Sequence, residues 1–288
     1  MKVYLDNAAT TPIDSAVYEA MQPYLKNEFG NPSSTHSFGR ISKSAIEEAR
    51  KKVADILNAS PGEIFFTSGG TEADNTSLNG LIRRYNIRNV ITSPIEHHAV
   101  LHSLEFFESI DLAQVQFLDV DNKGNIDRDQ LIDLLKGKKD SLVSLIHANN
   151  EIGNMIDLEE IGEICREHKA LFHSDTVQSI ARYTLDLNKI NINAVLGSAH
   201  KFHGPKGIGF MYINASTRIP PYILGGGQER DMRAGTENVY GIVGLAKAME
   251  IAYDDLSRTR KHIESLKSRM IKGLKSAIPG VKFNGSSE

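Results

Sequence analysis

Short apolar runs alternate with helix-length stretches along most of this 288-residue chain, and no other feature of the sequence constrains the fold as strongly. Runs that predict strands lie at residues 64–67, 89–92, 115–120, 142–148, 170–173, 194–198 and 208–213. Helices are predicted at about residues 15–26, 37–58, 71–85, 99–109, 127–136, 158–168, 239–253 and 256–277. This alternation predicts an α/β fold in which a mainly parallel sheet is sandwiched by helices.

Polar residues follow several of these runs. In such sheets ligands bind beyond the carboxyl ends of the strands. His97 follows the run at 89–92, Asn150 follows the run at 142–148, and Asp175 and Gln178 follow the run at 170–173. Each of them alone has an ordinary role as a helix cap or turn residue. Together they predict a functional site along one edge of the sheet.

A glycine turn joins the first strand to the helix after it, at Ser68-Gly69-Gly70-Thr71. Free N–H groups and the helix dipole at such a turn favour an anion. A tight turn capped by Thr71 is the simpler alternative. The loop is not a nucleotide-binding P-loop, because the Gly-Lys-Ser/Thr ending is absent.

A second turn, residues 197–207, carries Lys201 between two strand-like runs. A lysine in a turn is commonly a solvated surface cation. Here Ser198 and His200 suit an anion, and the glycines leave room for a bulky group. A buried lysine amine forms a Schiff base with an aldehyde, and pyridoxal 5'-phosphate (PLP) carries both an aldehyde and a phosphate. We therefore interpret this turn as a candidate PLP site.

The composition excludes several other classes of protein. A net charge of −3 gives no electrostatic case for nucleic acid or an anionic membrane. No apolar run approaches a membrane span, and the first residues carry no basic-then-apolar signal segment. One cysteine excludes an internal disulfide framework, so we expect a cytoplasmic protein. His97, His98, His200 and His203 lack the cysteines of a usual zinc pattern, and we expect no metal site.

The motifs, taken in order, resemble those of the cysteine desulfurases, fold-type I PLP enzymes of the class V aminotransferase group. The resemblance is carried by segments 4–12, 67–75, 96–100, 149–153, 200–207 and 225–236. It implies the large domain of a fold-type I PLP-dependent transferase plus part of a small α+β domain. The implied division is an N-terminal small-domain segment at 1–14, a PLP-binding domain at 15–255, and the start of an incomplete small domain at 256–288.

The resemblance also implies a role for each site residue. Lys201, rather than its neighbour Lys206, would bind PLP covalently and later move protons. Asp175 would pair with the pyridine nitrogen, and His97 would stack on the ring and act as acid and base. The remaining contacts would be made by Gly70, Thr71, Ser198 and His200 to the phosphate, Gln178 to the ring hydroxyl, Asn150 to the ring hydroxyl or substrate, and Thr236 to the phosphate of the neighbouring subunit in a homodimer.

The implied activity converts L-cysteine to L-alanine and passes sulfur, as a persulfide, to an acceptor or scaffold protein for iron–sulfur cluster or thio-cofactor assembly. Family members continue beyond this length, and we expect their nucleophilic cysteine and substrate-binding arginine to be missing here. Cys165 shares an apolar helix face with Leu158 and Ile161, so we expect it to be buried and unreactive. The alternatives are a selenocysteine lyase, a class V aminotransferase, or a non-catalytic PLP-binding dimerisation module.

Overall fold

A seven-stranded sheet forms the centre of the part of the chain described by the computed structural model, residues 1–286. Its strands are β1 Ile64–Thr67, β2 Asn89–Thr92, β3 Gln114–Phe117, β4 Ser141–Ser144, β5 Leu171–Asp175, β6 Ala194–Ser198 and β7 Gly209–Ile213. The bounds of β1, β2 and β6 agree with the prediction. The runs predicted at 115–120 and 142–148 were too long, because the chain leaves the regular ladder after Phe117 and Ser144.

The strands lie in the order β1-β7-β6-β5-β4-β2-β3. β7 runs antiparallel to both of its neighbours, β1 and β6, whereas every other pair is parallel. The prediction of a mainly parallel sheet is therefore confirmed, with β7 as the one reversed strand among those described. The carboxyl ends of the other six strands meet at one edge, which we call the site rim.

Helices cover both faces of the sheet. They are α1 Ser15–Lys26, α2 Ser37–Leu57, α3 Gly70–Arg84, α4 His98–Ser109, α5 Arg128–Leu135, α6 Leu158–His168, α7 Val239–Asp254 and α8 Leu256–Ala277. The alternating side chains of β1 divide two cores: Phe66 packs with residues of α1, α2, α5, α6 and α7, and Phe65 packs with residues of α3 and α4. The predicted sandwich is thus confirmed, and burial of these apolar faces is the main force that holds it together.

The ends of the chain differ in how firmly they pack. Asp14 caps α1, because its Oδ1 accepts a hydrogen bond from the N–H of Ala16 at 2.8 Å. In contrast, α8 has no buried side chain. Residues 281–284 form no strand, since no described strand lies beside them to complete a ladder. Ser287 and Glu288 lie outside the described residues.

At the site rim, the backbone at Gly209 lies very close to the turns after β1 and β6. Gly209 begins β7 and pairs with Thr67 of β1 on one side and Ser198 of β6 on the other. A Cβ atom at position 209 would lie 2.6 Å from the carbonyl oxygen of Gly197 and 2.8 Å from Cα of Gly69. Glycine at this position therefore lets the turns after β1 and β6 lie side by side. None of the described helices is long and apolar enough to cross a bilayer.

Candidate active site

The glycine turn after β1 leads directly into α3. Gly69 is the N-cap of this helix, and the N–H of Ser68 donates to Oε2 of Glu72 at 2.9 Å. Within the described residues, the N–H groups of Gly70 and Thr71 have no acceptor. Unpaired N–H groups at the start of a 15-residue helix form an anion site. The loop is therefore able to hold a phosphate group.

The lysine turn lies after β6 and begins with one turn of 3₁₀-helix, Ala199–Lys201. The Lys201 amine is half-buried, and its Nζ donates to the carbonyl oxygens of Ala8 at 2.6 Å and Ala9 at 3.0 Å. Burial lowers the pKa of Lys201, although the negative charge of Asp175 opposes the change. A lowered pKa increases the fraction of neutral amine, which is the nucleophilic form.

Asp175 ends β5 and is buried, with 4% of its surface exposed. Its Oδ1 accepts a hydrogen bond from the N–H of Val177 at 2.9 Å. Burial raises the pKa of Asp175, whereas the Val177 N–H and the charges of His97 and Lys201 favour its ionised form. A cation that approaches this carboxyl group therefore gains a strong electrostatic partner in a low-dielectric environment.

His97 is the N-cap of α4 and stands next to Asp175. Its Nδ1 accepts a hydrogen bond from the N–H of Ala99 at 3.1 Å, so in the neutral ring the proton resides on Nε2. One ring nitrogen of His97 and one carboxyl oxygen each of Asp74 and Asp175 all lie within 4.8 Å of one another. The ring is exposed, which leaves a face open to a ligand. An acid–base group and a buried carboxyl group thus share one cleft.

The chain matches the family described as aminotransferase class-V over residues 3–288. A cysteine desulfurase IscS from Dictyoglomus turgidum is 43% identical over 286 residues, which are 99% of this chain and 72% of that protein. A cysteine desulfurase IscS from Methanosarcina thermophila is 46% identical over 98% of this chain and 70% of that protein. The chain belongs to the cysteine desulfurase family.

Solved structures agree with this assignment. A structure titled "NIFS-LIKE PROTEIN" superposes with a TM-score of 0.92 at 42% identity and covers 96% of this chain and 76% of that one. A structure titled "SspA in complex with cysteine" has a TM-score of 0.82 at 37% identity, over 86% of this chain and 72% of that one. The fold is therefore the mixed α/β fold of NifS-like, fold-type I enzymes, and the chain is an enzyme of the cysteine desulfurase family.

The structure gathers most of the predicted desulfurase residues at the site rim. Ser198 is buried at the end of β6, and its Cβ lies 3.9 Å from where a Cβ on Gly70 would stand. His200 is half-buried, with Nδ1 3.1 Å from Oγ1 of Thr10. The amide nitrogen of Gln178 donates to the Ala8 carbonyl at 2.9 Å, the same oxygen that Lys201 contacts.

Two predicted residues, Asn150 and Thr236, form no hydrogen bond with this group among the described residues. The amide nitrogen of Asn150 donates to Oε1 of Glu151 at 2.7 Å. Thr236 is exposed on the glycine- and arginine-rich loop, residues 225–238. Arg233 of this loop pairs with Glu72 of α3 at 2.9 Å, so the loop is fixed close to the glycine turn.

Several buried titratable residues received no role from the sequence. Asp74, Glu96 and His173 lie under the rim, and Glu229 lies on the loop at 225–238. A signal existed for His173, which precedes Asp175 by two residues on one strand and so faces the same side of the sheet. Asp74 lies one helical turn beyond Gly70 on α3. The partner of Glu229 is Arg50, 179 residues away, and no local pattern predicts that pair.

Proposed function

We propose that this chain binds PLP at the site rim and acts on L-cysteine, which agrees with the name cysteine desulfurase that its relatives carry. The observation that carries the proposal is the convergence of three groups: the unpaired N–H groups at Gly70 and Thr71, the amine of Lys201 and the buried carboxyl group of Asp175. The anion site suits the PLP phosphate, the lysine amine suits its aldehyde, and the buried acid suits its pyridine nitrogen.

The phosphate fits the glycine turn. Gly70 and Thr71 supply N–H donors and the positive end of the α3 dipole, and Ser198 supplies a hydroxyl group next to them. His200 stands beside Lys201, and burial together with the charges of Lys201 and Lys206 lowers its pKa. In a neutral His200, Nδ1 is already hydrogen-bonded to Oγ1 of Thr10. Nε2 is therefore the ring nitrogen that is available to the phosphate.

The ring nitrogen fits Asp175. A protonated pyridine nitrogen would compensate the buried carboxylate and hold it in the ionised form. When bound, PLP supplies the electron sink that allows a substrate to lose its α-proton. Lys201 holds and returns that proton at Nζ, and His97 holds a second proton at Nε2, the nitrogen that its cap hydrogen bond leaves free. Gln178 and Asn150 would orient the ring hydroxyl and the substrate.

The single cysteine does not take the sulfur in this proposal. Cys165 is 1% exposed in the core between α6 and the sheet, and burial raises its pKa far above the usual value. A thiol attacks only as an accessible thiolate. The substrate sulfur must therefore be transferred to a thiol outside the described site. This agrees with an acceptor or scaffold protein as the partner.

We further propose a cytoplasmic homodimer in which Thr236 reaches the phosphate of the neighbouring subunit. Thr236 is exposed, while its loop is anchored through Arg233 to Glu72 and through Glu229 to Arg50. An anchored loop with an exposed hydroxyl group suits a contact made across subunits. The division into segments 1–14, 15–255 and 256–288 remains part of this proposal.

The proposal is tested with the full chain, PLP and L-cysteine in deuterated buffer. We expect one PLP per chain and exchange of the substrate α-proton, detected by NMR. Alanine and sulfide formed when an added thiol accepts the sulfur would identify a desulfurase, whereas amino transfer to a keto acid would identify an aminotransferase. A chain that binds no PLP at millimolar concentration would refute the proposal.

A further inference from the structure

Two buried carboxyl groups lie side by side beneath the site rim. Asp74, on the second turn of α3, is 1% exposed, and Asp175, at the end of β5, is 4% exposed. A carboxyl oxygen of each lies within 4.8 Å of the other. Two negative charges at this separation in a buried site repel strongly, and such a pair holds one proton between its members. The question is which of the two carries it.

The surroundings of the two acids are unequal. Asp175 accepts the Val177 N–H at 2.9 Å and faces the positive groups of His97 and Lys201. Asp74 faces two other acids, Asp175 and Glu96. Its pKa is raised well above the usual value, mainly by burial and to a smaller extent by repulsion from these two acids. No N–H group donates to Asp74 Oδ1 within residues 1–286. A His97 ring nitrogen lies within 4.8 Å of both acids, so the difference comes from the Val177 N–H, Lys201 and Glu96, and all three favour the charge on Asp175 and the proton on Asp74.

A neutral histidine completes the arrangement. His173 is fully buried on β5, and its Nε2 lies 3.5 Å from Oδ1 of Asp74. Neither of these two atoms has a hydrogen-bond partner in the described part of the chain. The other ring nitrogen, Nδ1, lies 2.9 Å from Oγ of Ser144. Burial lowers the pKa of His173 to about 3, so the ring is neutral and has one nitrogen free to accept a proton donor.

These contacts fit one protonation pattern. If Nδ1–H of His173 donates to Ser144, its Nε2 is an acceptor, and a protonated Asp74 is the donor that it lacks. A small side-chain rotation brings the 3.5 Å separation to hydrogen-bond length. Both buried atoms are then satisfied without placing any charge between them. The reverse pattern, a charged Asp74 beside Asp175, leaves two anions in the same buried space.

We propose that Asp74 is a positioning residue that stays a neutral carboxylic acid, held by His173, so that Asp175 is the single anionic carboxylate in the cleft. Asp74 acts through Asp175 and touches neither substrate nor PLP in this account. The protonation pattern stands on the geometry of the chain alone. Its use, to keep Asp175 ionised for a pyridine nitrogen, rests on the proposed function.

Infrared spectroscopy of the full chain, with and without PLP, tests the proposal. Aspartate labelled with ¹³C at the side-chain carboxyl separates Asp74 and Asp175 from Glu96. At neutral pH we expect the C=O band of a protonated aspartic acid, lost in Asp74→Asn and retained in Asp121→Asn, a control in an exposed surface turn. In Asp175→Asn the band should persist, and the pH at which it disappears should fall by about one unit or more.

Three results would overturn the proposal: no such band in the unaltered chain, a band that survives Asp74→Asn, or a band that Asp175→Asn removes. If Asp74→Asn fails to fold, the behaviour of Asp175→Asn decides the matter by itself. The band measured without PLP does not depend on the proposed function. A chain that shows the band but binds no PLP would therefore support the proton assignment and refute the PLP site.

Discussion

Arg50 and Asp175 are both buried charged residues, but their surroundings differ. Arg50 forms a two-pronged ion pair with Glu229, at 2.8 and 3.0 Å, and also donates to the Ile64 carbonyl at 2.8 Å. Glu229 accepts a further hydrogen bond from the Phe66 N–H at 2.8 Å. Asp175 has one N–H donor and an acid as its neighbour. The first group is saturated with partners, whereas the second is not.

The difference separates structure from function. A buried ion pair whose polar atoms are satisfied holds elements in place, and here it fixes the loop at 225–238 to α2 and β1. A buried acid with few partners is destabilising unless a ligand compensates it. Stability and chemistry are thus assigned to different buried charges.

Glu229→Gln should destabilise the fold by about 3–5 kcal/mol, because it leaves the Arg50 charge buried and uncompensated. Urea unfolding measures the loss. The matched control is Glu47→Gln, which removes an exposed partner of the same arginine and should cost at most about 1 kcal/mol. Equal effects of the two variants would show that the buried pair has no special structural role.

Asp175→Asn should impair the chemistry instead of the stability. We expect PLP to remain bound and the fold to stay intact. Without its charge, α-proton exchange should slow by about 10²–10³-fold, the effect of about 3–4 kcal/mol of lost electrostatic stabilisation. NMR in deuterated buffer measures the exchange, and Asp121→Asn serves as the control. Exchange at a near-normal rate in Asp175→Asn would place the essential acid elsewhere.

Glu96→Gln should change how stability depends on pH. Burial raises the pKa of Glu96 to about 8, against a hydrogen bond from Ser93 Oγ at 2.5 Å. A raised pKa in the folded state means that stability is present at low pH and is lost as the pH rises from about 4.5 through 8. The variant should flatten this decline by up to about 1.4 kcal/mol per pH unit. An unchanged slope in urea titrations would contradict the prediction.

Cys165→Ser should have the smallest effect. A buried hydroxyl group in place of the thiol costs about 1 kcal/mol, and PLP binding and α-proton exchange should not change. Mass spectrometry after incubation with L-cysteine should find no persulfide on Cys165. A persulfide there, absent from the Ser variant, would make this cysteine the sulfur acceptor.

Prediction of strand bounds from the sequence is most accurate for β1, β2 and β6. Every residue of β1, β2 and β6 is buried, and the bounds of these strands agree with prediction. β3, with the sequence Gln-Val-Gln-Phe, is only partly buried. Because it begins with a polar residue, no apolar run marks where the strand starts. The positions of His97, Asp175 and Lys201 follow from parallel topology, because residues after parallel strands share one edge.

Contacts between distant segments were beyond prediction. An apolar pattern predicts α7 and an amphipathic pattern predicts α8, but only the structure shows that α7 packs against α1 and α2 while α8 buries no side chain. Similarly, Lys201 meets the Ala8 and Ala9 carbonyls, more than 190 residues away, through packing of the N-terminal segment on the lysine turn. Such contacts arise from three-dimensional packing and leave no local pattern.

Lys201 is the residue that we propose binds PLP covalently. Borohydride reduction of the PLP-loaded chain, followed by digestion and peptide mapping, identifies the modified lysine directly. We expect the label on Lys201, kept in Lys206→Arg and lost in Lys201→Arg. A label on Lys206, or on neither lysine, would contradict the account of the site.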